Sequence, residues 1–332
     1  VMVMTPLRCL GRVTGDITVN GASALRDFSL SRLTDVGGAV MVENDPMLKG
    51  VGLPALVSVG SAANQSLVFD TLPQLETIDV RALVETPVSS GISINRVSST
   101  ATTVALSLNF TALTTVGGTL NISNAAKLSN LATFMSLRTV GGRLTIDNDA
   151  ALTNTAGLAS LQTVGNDVAI QANPVLAGID LHALTSVGST NDQSLVFDTL
   201  PRLVALDVRA LAQTAAGAGI AITTVGATGP GNLMLNFASL TNVRGDLNVS
   251  TTANLVDFGG FAALTSVGGA LTVSDNAALT SVATGLAAVA TIGGNFVITD
   301  NPQLCLTTVT ALRAAISVGG ATTTTTGNKT DC

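Results

Sequence analysis

One phrase, Leu-x-x-Val-Gly-Gly-x-Leu-x-Ile, returns along most of the chain and sets what the chain can become. Its corner residues are Val36, Val116, Val140, Val164, Val243, Val267 and Ile292. Neighbouring copies recur with a period of about 24 residues, which belongs to a solenoid, because one unit is too small to bury its own apolar residues and must stack on its neighbours. In the copy Val140-Gly-Gly-Arg-Leu144-Thr-Ile146-Asp-Asn148 the apolar residues alternate, which predicts a short strand with Leu144 and Ile146 inward and Thr145 and Asp147 outward. Between strands the apolar residues come at every third position, as in Leu128, Leu131, Phe134, Leu137 and Val140. Neither an amphipathic helix nor a flat strand sustains that spacing, whereas a chain turning corners around a prism does. The glycine pairs 37–38, 117–118, 141–142, 268–269 and 293–294 precede strands. They are expected at corners with positive φ, and none stands in a phosphate-loop pattern. The asparagines just past the strands, Asn44, Asn124, Asn148, Asn173, Asn276 and Asn301, are expected to hydrogen-bond the backbone of adjacent turns.

A larger duplication overlies the short repeat. Residues 60–83 return as 188–211 with 17 of 24 positions identical. The expected layout is one solenoid domain over 1–332: N-terminal coils at 1–59, the duplicated blocks at 60–187 and 188–294, and a C-terminal cap at 295–332. The less regular segments 84–104 and 212–230 read as equivalent loops.

Composition excludes several functions. Charged residues are 11% of the chain and the net charge is −6, with lysine only at Lys49, Lys127 and Lys329, so there is no basic patch for nucleic acid. Gly, Ser, Thr and Asn interrupt every apolar run, which argues against a membrane-spanning helix. The opening residues, Val1 to Thr5, lack the pattern of a secretory signal, which is taken as removed or left out. Trp and Tyr are absent and His182 stands alone, which removes most general bases and any imidazole metal cluster. No cofactor, metal or catalytic residue is expected.

At the C-terminus Cys305, Val309, Leu312 and Ile316 carry helical spacing, and a helix there is expected to lie across the open end of the array. Residues 319–332 are expected to form a last strand. Cys305 and Cys332 bracket this unit; in an oxidising compartment their disulfide would close a loop of about 28 residues and contribute about 3–4 kcal/mol. A reducing compartment would leave them as thiols. Cys9 then lacks a partner within the chain.

The surface carries several candidate sites, each with a structural alternative. Glu43, Asp70, Asp147 and Asp198 follow strands and could resemble the carboxylates of a polysaccharide-cleaving β-helix, but solvated strand ends explain them better. Asp79/Arg81 and Asp207/Arg209 read as surface ion pairs. Ser58, Thr115, Thr139, Thr163, Ser186, Ser266 and Thr291 form a row that an ice-binding solenoid would use, although hydroxyl pairing between coils also accounts for it. Met41, Val68, Val196, Met234 and Val297 are assigned outward on the main strands, more apolar than a solvated sheet requires, and are the partner-binding candidates. Sequons at Asn64, Asn109, Asn121, Asn248 and Asn328 are possible glycosylation sites in a secreted eukaryotic protein.

The Gly-Gly-x-Leu-x-Ile-x-x-Asn-x-x-Leu unit, the Leu-x-x-Val before it, and the closing Asn301-Pro-x-Leu-Cys305 with a final Cys332 resemble the receptor L-domain family, a relative of leucine-rich repeats. The resemblance covers residues 11–332. It implies an all-β, right-handed, single-stranded parallel β-helix with a capping helix, placed outside the cell or on its surface. It also implies a binding or structural function rather than an enzymatic one, with a protein or glycan partner or with self-association. The absence of a Cys-rich module between the halves sets this chain apart from signalling receptors.

Overall fold

The computed structural model describes residues 7, 9–99, 104–228 and 231–332. The fold is all-β, with mostly parallel sheets forming a solenoid of about 12 turns. The chain divides into two compact units, Val1–Val164 and Gly165–Cys332.

In the first unit every coil adds one strand to a long parallel sheet, in the order Ile17–Asn20, Val40–Glu43, Gln65–Leu72, Gly91–Val97, Leu120–Ser123 and Leu144–Asp147. Inward residues stack in register: Val40, Leu67, Ile92, Leu120 and Leu144 form one ladder and are fully buried. The second unit repeats this with Val168, Leu195, Ile220, Leu247, Leu271 and Phe296. These aliphatic columns are the core, and at about 25 cal/mol per Å² of apolar surface they supply the main stabilisation.

The coils are less uniform than the phrase predicts. Ile17 pairs with Val40, 23 residues on, and Ile92 pairs with Leu120, 28 residues on. The segments 84–104 and 212–230, expected as loops, each contain a full strand of the long sheet, Gly91–Val97 and Gly219–Val225. Ile92/Ile94 and Ile220/Ile222 supply the inward alternation without the leucine-containing phrase. Residues 100–103 and 229–230 of those segments lie outside the described residues. The duplication shows in matching local contacts. Ser66 Oγ donates to the Gly60 carbonyl and Ser194 Oγ to that of Gly188, both at 2.7 Å. Thr86 and Thr214 hydroxyls donate to Ser90 and Ala218 carbonyls, both at 2.6 Å.

The glycine pairs have negative φ, contrary to expectation. At Gly141 a Cβ would lie 2.3 Å from the Gly117 carbonyl oxygen, so the pair exists to let successive coils touch. Positive φ falls instead within or just past the ends of main strands, on residues such as Asn44, Thr71, Arg96, Asn124 and Asn148 in the first unit. Asn173, Asn276 and Asn301 turn inward. Asn276 donates to the Val249 carbonyl at 3.1 Å and Asn301 to Val273 at 3.0 Å, forming a buried ladder that ends at Asn328.

The helix Leu306–Ala315 is the one long helix among the described residues. It packs beside the short helix Ala283–Leu286 of the preceding coil and so forms part of the last coil, where a lid across the end was expected. Only Val309 is fully buried on it. The last strand, Thr323–Thr324, pairs with Phe296–Val297, and Cys305 is joined to Cys332. Cys9 is free and exposed.

Candidate functional site

Each unit carries a short side sheet that stops partway along the array. In the first it ends at Ser107–Asn109, and in the second at Met234–Asn236. The next coil places a 3-10 turn there in place of a strand: Ala132–Phe134 and Gly259–Phe261. The local sequence explains the switch. Asn130 Oδ1 accepts the Ala132 N–H at 3.1 Å, and Asp257 Oδ1 accepts the Gly259 N–H at 2.7 Å, closing an Asx turn that opens each 3-10 turn. Phe134 then stacks on Phe110, centroids 5.4 Å apart, and Phe261 on Phe237 at 4.7 Å. These ring pairs hold the turn against the strand below.

Where strand and turn fail to mesh, a cleft remains. The one in the first unit has about 240 Å³ and is lined by Ala105, Leu106, Ser107, Leu108, Ser129, Asn130 and Thr133. Its counterpart in the second unit has about 660 Å³. It is lined by the apolar Met234, which is 71% exposed, Val256 and Leu235, by Gly260, and by the polar Asn232, Asn236 and Asp257. Gly260 is required by the close approach: a Cβ there would sit 2.1 Å from the Leu235 carbonyl oxygen. In the first unit the same place holds Thr133, whose hydroxyl accepts the Phe110 N–H.

Four of the partner-binding candidates stand where the sequence put them. Met41 and Val68 are adjacent on the outer face of the long sheet in the first unit, followed by Ser93 and Asn121. Val196 lies between Ala169 and Ala221 in the second, and Val297 beside Thr272. All four are half-buried, and polar residues divide the strip. Met234 is the exception. It pairs with Ala205 in the side sheet, because Ala221 takes the outward place on the long sheet in that coil.

The hydroxyl row is in register over Thr115, Thr139 and Thr163 in the first unit, and a separate sheet of the second unit aligns Asn242, Ser266, Thr291 and Ser317. Ser58 instead follows Arg12 and Asp35, so the row is mixed. Glu43 faces Asp70 on the next coil, where Arg96 binds Asp70 through Nε at 2.9 Å and through a second guanidinium nitrogen. Asp198 accepts the Thr223 hydroxyl at 2.6 Å. Burial raises the pKa of Asp147. The pairs Asp79/Arg81 and Asp207/Arg209 form, and the guanidinium hydrogen bonds hold both carboxylates below the usual range. His182 Nδ1 lies 2.6 Å from Asp180 Oδ1, with Asp207 beside Asp180 on the next coil. Among the described residues no three His, Cys, Asp or Glu side chains converge on a metal position, and no helix is long and apolar enough to cross a membrane.

The sequons separate by exposure. Asn64 sits exposed in a tight turn at φ 64°. Asn109, Asn121 and Asn248 are half-buried on strands. Asn328 is 7% exposed and its amide donates to the Ile298 and Thr325 carbonyls.

Sequence reasoning missed Asn232, Val256, Asp257 and Gly260. The available signal was the phenylalanine pair Phe237 and Phe261, one repeat apart, with Asp257 shortly before a Gly-Gly that precedes no strand.

A comparison with curated proteins gives no match. Residues 217–316 match the family described as Receptor L domain, whose members are extracellular, non-enzymatic ligand-binding domains. The larger cleft lies wholly inside that stretch. The cleft therefore sits in the part of the chain, residues 217–316, that is similar to the receptor L-domain family.

Proposed function

We propose that this protein is an extracellular or cell-surface recognition module that holds a protein partner at the cleft beside Met234. The observation that carries this reading is a large, 71% exposed methionine lining a cleft of about 660 Å³, beside Val256 and Leu235, within the stretch similar to the receptor L domain. Clefts of about 300–1,000 Å³ with apolar walls and few polar groups are the usual form of ligand sites. Methionine is flexible and polarisable and adapts to a partner's surface. The outer face of the long sheet supports binding less well, since Met41, Val68, Val196 and Val297 are half-buried and separated by polar residues.

The test compares Met234→Arg with Met135→Arg, an equally drastic change at an exposed methionine of the first unit outside the cleft. Both variants should fold. Retention of surface or matrix proteins from the native source should fall at least about tenfold for Met234→Arg only, the loss expected when a central anchor is removed from an interface. Equal retention by the two variants would overturn the assignment.

A further inference from the structure

We infer that the cleft beside Met234 takes a lysine or arginine side chain presented by an extended segment of the partner polypeptide; this rests on the cleft being the recognition surface. Met234 donates its N–H to the Val204 carbonyl at 2.9 Å, and Asn236 accepts the Val208 N–H at 2.9 Å, so both turn towards the preceding strand. The alternation of a parallel ladder points the N–H and C=O of Leu235 the other way. Gly260 packs against that carbonyl, and the N–H is left on the cleft side. An extended peptide offers a carbonyl to such a donor, as in strand addition at a sheet edge.

Side chains set the specificity. Met234 and Val256 make an apolar wall suited to the aliphatic stem of a long cationic residue, which packs its methylenes and leaves its head polar. Asp257 is the one charged side chain among the described residues that line the cleft. Its Oδ1 accepts the Gly259 N–H, and Oδ2 is left for a cation at the rim. The surrounding unit favours the same sign, with ten aspartates against four arginines and one lysine in residues 165–332.

The first unit supplies an internal comparison. At the corresponding places it has Ser107 for Met234, Ser129 for Val256 and Asn130 for Asp257. The architecture is kept, while the stem-binding wall and the carboxylate are both missing. The cationic preference is therefore a property of the second copy alone.

The probe is a short capped peptide with a central lysine between valines, titrated against the whole chain by fluorescence anisotropy, beside the same peptide with glutamate in place of lysine. The lysine peptide should bind, more weakly as salt rises, and the glutamate peptide should not. Asp257→Asn should weaken binding about tenfold, within the range for loss of a charge-assisted contact. Equal binding of the two peptides, or binding unchanged in Asp257→Asn, would overturn the inference. If neither peptide binds while Met234→Arg still loses the native partner, this inference fails and the recognition cleft stands. If Met234→Arg also has no effect, both fail.

Discussion

The backbone N–H of Ala125 donates to the buried carboxyl of Asp149, one coil later, at 2.7 Å. Asn276 holds the corresponding place in the second unit: its Oδ1 accepts the Thr252 N–H at 3.0 Å, while its Nδ2 donates to the Val249 carbonyl. A carboxylate has nothing to donate in that second role, whereas a carboxylic acid does. Burial accordingly raises the pKa of Asp149 to about 8.

The sign of the pH effect follows. The unfolded chain releases this proton near the ordinary value of 3.8 and the folded chain keeps it to about 8. The stabilisation is complete below about pH 4 and is lost as the pH rises towards 8. The fall should reach at most about 6 kcal/mol, at about 1.4 kcal/mol per unit over roughly four units. Urea midpoints measured across this window should decline for the native chain and stay nearly level for Asp149→Asn. A native midpoint rising with pH would contradict the assignment.

The asparagine ladder should be costly to break. Asn301 donates to the Val273 and Thr299 carbonyls and accepts from the Asn276 backbone N–H. Asn301→Ala would leave these buried groups unpaired and cost about 3 kcal/mol. Asn44→Ala, at an outer corner, should cost about 1 kcal/mol, chiefly for placing alanine at positive φ. Chemical denaturation of the two variants checks the ordering.

Reduction of Cys305–Cys332, which are 27 residues apart, should loosen the last coil first. The chain-entropy contribution is about 3–4 kcal/mol. Limited proteolysis with and without reductant should show new cleavage after residue 305 only in the reduced protein.

On the long sheet, Val68 and Val196 face out while Phe69 and Phe197 are fully buried. Val68→Lys with Val196→Lys should fold normally, whereas Phe69→Lys should not fold, because the neighbouring position points into the core. Circular dichroism decides the register. Sedimentation of the double variant shows whether this face also carries self-association.

The parts legible in sequence were those fixed by periodicity. Leu144 and Ile146 alternate, and Val116, Val140 and Val164 recur, so the strands, their inward faces and their parallel stacking follow directly. The strand Gly219–Val225 was less visible because threonine and alanine fill its outward places and no Gly-Gly-x-Leu introduces it. With Ala221 in the outward place of that coil, Met234 falls in the side sheet, where its apolar character alone cannot distinguish it from a residue of the long sheet. The cleft was invisible for a different reason. It arises where two coils fail to match, a strand against a 3-10 turn, and a mismatch between segments one repeat apart leaves no local periodicity. The glycine pairs sit at the expected corners for a different reason, close approach of coils in place of positive φ, because both call for glycine.

Site-specific photo-crosslinking tests the recognition cleft most directly. A photoreactive residue in place of Met234 should label one partner polypeptide from the native surface, and the same residue at Val57, an exposed apolar position of the first unit, should not. Equal labelling from the two positions, or none from Met234 while the native protein still binds its partner, would contradict the account.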